Sequence, residues 1–312
     1  MTDVHPNLRL WLDQLNPLVE EQKARGVEAT PEMVRDSLAG LTASFVTRAP
    51  EIAWVKDVRV STPEGEVPVR LYDPEPGTPR PVMLFFHGGG HMAGSVAVYD
   101  PIACKLARAT GMVVLSVDYR LAPETPYPGG LNDCLNVTRQ VWSILETEQV
   151  AFKRRLVLAG DSGGGTYAAT VSQQLAADPD LNLTHQILIY PSLDYTLEHP
   201  SIIGHGKGYL LEEPRIRWYF DHYFASNEDR RAASPLHMPV PDDMPATLVI
   251  TAGWCPLHDE GVNYARKLEA AGVACQLEDY VDMIHAYLTL EDLVPEACED
   301  TYRMIGSFLR ED

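Results

Sequence analysis

The sequence predicts an α/β domain built on a mostly parallel, eight-stranded sheet flanked by helices. Three observations carry this reading. Strand-like and helix-like stretches alternate from residue 81 to the end of the chain. Two of the strand-like runs, Pro81 to His87 (PVMLFFH) and Leu156 to Ala159, are almost wholly apolar, as strands covered on both faces are. The second run leads straight into Gly160-Asp161-Ser162-Gly163-Gly164 and then an alanine-rich segment, which reads as strand, turn and helix.

Taken in order, residues 1–50 are helical and amphipathic, with Leu8, Leu12, Leu15 and Leu18 at helical spacing. Thr30-Pro31-Glu32 opens a second helix with proline at its first position. No glycine-rich motif lies here, so the segment is expected to pack on the domain or cover it. Residues 52–62 and 66–73 alternate as strands around a Pro-Glu-Gly turn and predict a hairpin. Further strands are expected at 81–87, 112–118, 156–159, 186–190, 246–251 and 274–280, with helices at 100–110, 130–146, 163–177, 257–271 and 295–309. The interval 195–235 breaks the rhythm with Tyr209, Trp218, Tyr219, Phe220, Tyr223 and Phe224. It is expected to be an insertion into a catalytic domain spanning 51–312, joining the first 50 residues in a helical cap.

Charge and composition exclude several classes. A net charge of −19 over 312 residues argues against nucleic acid or an anionic membrane as partner. The opening MTDVHPNLRLWLDQLN has no apolar core, and no run approaches 18 apolar residues, so neither a signal peptide nor a membrane span is expected. The five cysteines, Cys104, Cys134, Cys255, Cys275 and Cys298, are odd in number and scattered. Reduced thiols in a cytoplasmic protein are the simplest expectation.

A serine between small residues at a strand-to-helix turn has the form of a nucleophile elbow, and Ser162 is that serine. The three glycines Gly163 to Gly165 each cost roughly 1 kcal/mol relative to alanine inside a helix, which points to a close approach that side chains would block. A phosphate-binding turn is the rival, but neither a Gly-Lys-Ser/Thr ending nor G-x-G-x-x-G spacing is present. His87-Gly88-Gly89-Gly90 closes a buried strand, and glycines there let backbone N–H groups converge as an oxyanion hole requires. A turn chosen only for flexibility is the plainer alternative, and His87 itself reads as a structural brace. The base should come last in the chain, and of ten histidines only His285 follows the final expected strand.

With Gly94-Ser95, Asp118-Tyr119-Arg120-Leu121-Ala122-Pro123-Glu124, Tyr190-Pro191, Ser234-Pro235-Leu236 and Met283-Ile284-His285, these motifs resemble the hormone-sensitive-lipase-like esterases of the α/β-hydrolase superfamily. The likeness runs from about residue 80 onward. It implies the α/β-hydrolase fold with a helical cap, hydrolysis of short acyl esters, a small-molecule ester as partner, and no metal or cofactor. It also implies that Gly88, Gly89 and Gly163 donate the oxyanion N–H groups and that Arg120 and Glu124 form a structural ion pair. Relatives often pair through the last edge strand, so a homodimer is an open expectation.

One position departs from the family. Its pattern Asp-Pro-Leu-x-Asp-Glu-Gly begins with the catalytic acid, whereas this chain reads Cys255-Pro256-Leu257-His258-Asp259-Glu260-Gly261. A buried thiol stays neutral and cannot replace a carboxylate. Asp282, close to His285 in sequence, is the preferred substitute. Asp259 is a second candidate, although its plainer role is to favour a helix N-terminus. The third reading is a serine–histidine pair working without an acid, slowed by roughly 10⁴ on the protease template. The rival functions are a non-hydrolytic binding protein on the same fold, as in the related plant hormone receptors, and an amidase or formamidase.

Overall fold

The hairpin forms as β1 (Trp54–Thr62) and β2 (Gly65–Asp73), antiparallel, with Thr62 opposite Gly65. The computed structural model describes residues 3–310. β3 (Arg80–Phe86), β4 (Val113–Val117), β5 (Phe152–Asp161), β6 (Leu183–Ile189), β7 (Ala246–Trp254) and β8 (Cys275–Ile284) complete one sheet, in the order β1-β2-β4-β3-β5-β6-β7-β8. β2 meets β4 antiparallel, and every pair from β4 to β8 is parallel. Val82 to Phe86 and Leu156 to Ala159 are fully buried, as their unbroken apolar character requires of strands covered on two faces.

The helices are α1 (Pro6–Ala24), α2 (Pro31–Phe45), α3 (Val96–Thr110), α4 (Gly129–Arg139), α5 (Val141–Thr147), α6 (Gly163–Leu175), α7 (Pro200–Gly204), α8 (Glu213–Tyr223), α9 (His258–Ala270) and α10 (Pro295–Phe308). Several boundaries differ from the sequence expectation, among them β5, which starts at Phe152, β6, which starts at Leu183, and β7, which runs to Trp254. α3 starts four residues before residue 100 because the Ser95 hydroxyl accepts the Val98 N–H at 3.1 Å and caps it. The expected helix 130–146 is divided at Gln140. β8 runs to Ile284, four residues past the expected end at 280, and this matters for the site.

α1 and the segment around α7 and α8 lie outside the strand–helix alternation and touch one another. The Asn16 side-chain amide donates to the Gly208 carbonyl at 3.1 Å, Lys23 pairs with Glu212 at 2.6 Å, and the Arg9 guanidinium lies 5.6 Å from the Tyr209 ring centre.

Because β3, β5, β7 and β8 run the same way, their C-terminal ends meet at one edge of the sheet, where ligands of open α/β sheets bind. The start of α6 is pressed against the end of β3 there. A Cβ on Gly164 would overlap the Phe86 carbonyl, whereas one on Gly163 would find its nearest neighbours at 3.2 Å. Gly164→Ala should therefore destabilise the protein by roughly 2–4 kcal/mol in denaturant titration, since backbone must move to relieve the overlap. Gly163→Ala should cost much less. Equal stability of the two variants would refute the close approach.

Candidate active site

Ser162 follows the last residue of β5 and sits at φ 51°, ψ −119°, a conformation that L-residues seldom adopt. Its neighbours hold it there: the Ser162 N–H donates to the Ile189 carbonyl at 2.9 Å, and the Ser192 N–H to the Ser162 carbonyl at 3.0 Å. The strain lifts the hydroxyl off the strand toward the sheet edge, with the residue 8% exposed.

His285 leaves the end of β8 and brings its Nε2 to 2.9 Å from the Ser162 Oγ. The residue is 6% exposed, and its ring packs edge-on to Tyr190. Burial pushes its pKa from 6.5 down to about 3. Its Nδ1 meets the Cys255 Sγ at 3.1 Å. Cys255 stands just past β7, 1% exposed, and its sulfur also accepts the Leu257 N–H at 3.3 Å. Burial pushes the thiol pKa far up, so the group at Nδ1 is neutral.

The expectation that Asp282 orients His285 is not met by this geometry. Among the described residues the Asp282 side chain makes no hydrogen bond to the imidazole, and its carbonyl accepts the His5 N–H at 2.9 Å. The reason is the length of β8. With Asp282 inside the strand, three extended residues carry His285 about 10 Å onward and to the other face. Asp259 does not reach His285 either. It lies in the first turn of α9, where its carboxylate accepts the Ser201 N–H at 2.9 Å and contacts His258.

The glycine turn after β3 is built differently from the expectation. Gly88 faces Asp161: a Cβ there would overlap the Asp161 carboxylate and lie 2.8 Å from the Tyr99 hydroxyl. The Gly90 nitrogen lies beside the elbow instead, while a Cβ on Gly90 would run into the Tyr219 ring at 2.8 Å. A Cβ on Gly163 would stand 3.3 Å from the Gly90 nitrogen and 3.2 Å from the His91 nitrogen. The N–H groups of Gly89 and Gly90 donate to no backbone or side-chain acceptor among the described residues, while the Gly89 carbonyl accepts from Met92 and Ala93. Gly163 is the first residue of α6, so its N–H has no partner within the helix and lies at the positive end of the helix dipole. His87 braces the turn through its Nδ1 at 2.8 Å from the Gly88 carbonyl and by stacking on Tyr119.

The Arg120–Glu124 pair is also corrected. Arg120 grips Asp133 at 2.7 and 2.9 Å and reaches Glu64 at 2.6 Å, while Glu124 pairs with Arg35 at 2.6 Å.

Two further groups stand inside the motifs around Ser162 and Cys255, and the sequence gives them no role. Asp161 is buried, takes the Tyr99 hydroxyl at 3.1 Å, and is pushed up to about 7 by desolvation. Glu260 is fully buried and accepts the Leu193 N–H at 2.6 Å, tying α9 to the loop after β6; burial raises its pKa well above the usual range. Among the described residues no group of three His, Cys, Asp or Glu side chains is placed to hold a metal ion.

A serine on a strained strand-to-helix turn, bonded to a histidine after the last strand, is the site of an α/β-hydrolase. Residues 83–289 match the model of a family described by the alpha/beta hydrolase fold. The chain is 35% identical over 266 residues to the ethyl acetate hydrolase of Pseudomonas putida, with 83% of each chain covered. It is 34% identical to the esterase LipI of Mycobacterium tuberculosis, covering 89% of this chain and 86% of that one. The structure of a hyperthermophilic esterase from Pyrobaculum calidifontis superposes with a TM-score of 0.89 at 28% identity, covering 99% and 98% of the two chains. The chain belongs to the hormone-sensitive-lipase-like carboxylesterases of the α/β-hydrolase superfamily.

The absence of an anion at Nδ1 sets an expectation for pH. With His285 as the proposed base, burial favours the neutral imidazole, so in Asp161→Asn, which removes the carboxyl that titrates at about 7 beside the glycine turn, kcat/KM should stay flat from pH 7.5 to about 5. In Cys255→Asp, a carboxylate at Nδ1 would favour the imidazolium and move the acid limb upward. An acid limb at or above pH 6.5 that persists in Asp161→Asn would contradict this account.

Proposed function

We propose that the protein is a serine carboxylesterase that hydrolyses small, short-chain acyl esters through an acyl-enzyme on Ser162. The observation that carries this reading is the 2.9 Å contact between the Ser162 Oγ and the His285 Nε2. Ser162 attacks the ester carbonyl while His285 removes the hydroxyl proton. The carbonyl oxygen gathers negative charge and is met by the N–H groups of Gly89, Gly90 and Gly163, with Gly88 supporting the turn through Asp161. His285 returns the proton to the leaving alcohol, and water then repeats the sequence on the acyl-enzyme. The relative named for ethyl acetate supports a small ester as substrate.

Cys255 takes the acid's place in this scheme. As the acceptor of the Nδ1–H it selects the tautomer that leaves Nε2 free for the serine proton. It adds little to the stability of the imidazolium, because a neutral sulfur carries no charge to offset it. The contacts between α1 and the segment around α8 support the reading of residues 1–50 and 195–235 as a cap. Five unpaired cysteines support a cytoplasmic location. No helix of the described residues is long and apolar enough to cross a membrane.

Purified protein should turn over p-nitrophenyl acetate and butyrate, and Ser162→Ala should abolish that turnover with its thermal melt unchanged. Absence of turnover by the natural protein would favour a binding role. Cys255→Asp should raise kcat at least about tenfold, given that spoiling the acid costs roughly 10⁴ in the protease template. Asp282→Asn and Asp259→Asn should leave kcat within about twofold of the natural value, well short of that template effect. A loss of orders of magnitude in Asp282→Asn would restore it as the acid.

β8 forms the open edge of the sheet, with Val281 exposed, and a homodimer pairing these edges is part of the proposal. Light scattering should then give twice the chain mass, and a monomer at every concentration would exclude it.

A further inference from the structure

Arg35, on α2, precedes Met92 by 57 residues in sequence, yet it holds the turn at that point. Its Nε–H donates to the Met92 carbonyl at 2.9 Å, and one Nη2–H to the Ala122 carbonyl at 3.1 Å. Nη1 and Nη2 also reach the two Glu124 oxygens at 2.9 and 2.6 Å. Four of the five guanidinium N–H groups are thus engaged.

The two carbonyls are not arbitrary. The Met92 N–H donates back to the Gly89 carbonyl at 3.1 Å, and the Ala122 N–H donates to the His91 carbonyl at 2.9 Å. Arg35 therefore grips residues that are each one hydrogen bond from the carbonyls of Gly89 and His91, which stand on either side of Gly90 in the chain. That stretch needs holding. Gly90 and His91 are consecutive left-handed residues, φ 62° and 63°, and for an L-residue such as His91 that conformation costs roughly 1–2 kcal/mol. The turn lies between β3 and α3, outside the hydrogen-bond ladders of either.

We propose that Arg35 is a positioning residue for ester hydrolysis, aiming the Gly89 and Gly90 N–H groups at the developing oxyanion from the N-terminal helices. The proposal rests on reading this turn as the oxyanion site. Glu124 is 60% exposed in its side chain, and exposed ion pairs contribute little. Its part is to orient the guanidinium, while the bonds to the carbonyls carry the effect. Misaimed N–H groups weaken binding of the transition state more than of the ester, so the loss falls on kcat.

The test uses the full chain with Arg35→Met, Arg35→Lys and Glu124→Gln, folding followed by thermal melts. Two readouts are needed: kcat and KM on p-nitrophenyl acetate, and the inhibition constants of an alkyl trifluoromethyl ketone and its methyl ketone counterpart. The fluorinated ketone forms a reversible hemiketal. The serine oxygen bonds to the carbonyl carbon, the hydroxyl proton passes to His285, and the carbonyl π pair becomes an oxyanion in the same pocket. Arg35→Met should lower kcat roughly 10- to 100-fold with KM within about twofold, and should lose the preference for the fluorinated ketone by a similar factor. Glu124→Gln should stay within about threefold in both readouts. Arg35→Lys, with one ammonium in place of the fork, should lose at least about fivefold in kcat and serves if Arg35→Met does not fold. Full kcat and full ketone preference in the arginine variants would overturn the proposal, as would an equal loss in Glu124→Gln. If the natural protein itself shows no preference for the fluorinated ketone, the oxyanion reading of the turn fails first.

Discussion

The approach of α6 to the end of β3 is the constraint on which the rest of the site depends. Gly164 lies so close to the Phe86 carbonyl that no side chain fits, and Gly160 allows the α6 backbone to fold back onto β5. That contact forces the sharp reversal at Ser162 and explains why an L-residue is held at φ 51°. It also fixes the neighbour of Ser162. The chain leaving Phe86 becomes the glycine turn, so contact between α6 and β3 brings that turn to the elbow, with the Gly90 nitrogen beside Gly163. The parallel order of β5, β6, β7 and β8 then delivers Ser162, Cys255 and His285 to the same edge.

What is gathered there is largely uncharged. Desolvation is the leading cause of every shift at the site: it holds His87, His91 and His285 below the ordinary histidine range, and raises Asp161, Glu260 and Cys255. On the proposed reading the field at the reacting carbonyl then comes mainly from oriented dipoles, although Asp161, at about 7, is close to half ionised at neutral pH. The N-terminus of α6 and the unengaged N–H groups of the glycine turn are such dipoles, and in a dry site they act without the screening of water. Their aim matters correspondingly more, which gives a physical reason for the four bonds made by Arg35.

Features encoded in short stretches of sequence were legible. The unbroken apolar runs marked β3 and β5, the glycines around Ser162 marked the sharp strand-to-helix turn, and chain order picked the histidine whose Nε2 lies 2.9 Å from the Ser162 Oγ. Features set by backbone dihedrals or by distant partners were not. Which glycine faces the elbow follows from φ values of 118° at Gly89 and 62° at Gly90, and three identical letters carry no trace of them. Arg35 reaches Glu124 across 89 residues, and helical spacing says nothing about where a guanidinium ends. Asp282 was misplaced for a different reason. β8 is an edge strand whose outer half mixes exposed Asp279 and Val281 with half-buried Tyr280 and Asp282, so its polar letters read as the start of a loop.

Cys255 is best understood as an exchange between stability and rate. A carboxylate at that point would be fully desolvated, close to the buried Glu260, with only the Leu257 N–H and the imidazole to receive it. Burying an ion costs several kcal/mol unless its partners are excellent, and the imidazole becomes an excellent partner only when charged. The thiol avoids that penalty, keeps the Leu257 contact, and still offers sulfur to Nδ1 at 3.1 Å. It gives up the charge that would stabilise the imidazolium in the transition state. Such an exchange is tolerable where the remaining stabilisation is borne by the oxyanion donors, since in the protease template these and substrate binding alone sustain roughly 10³–10⁴ over water. On the proposed reading the burden shifted from position 255 falls on the glycine turn, and through Arg35 on α2.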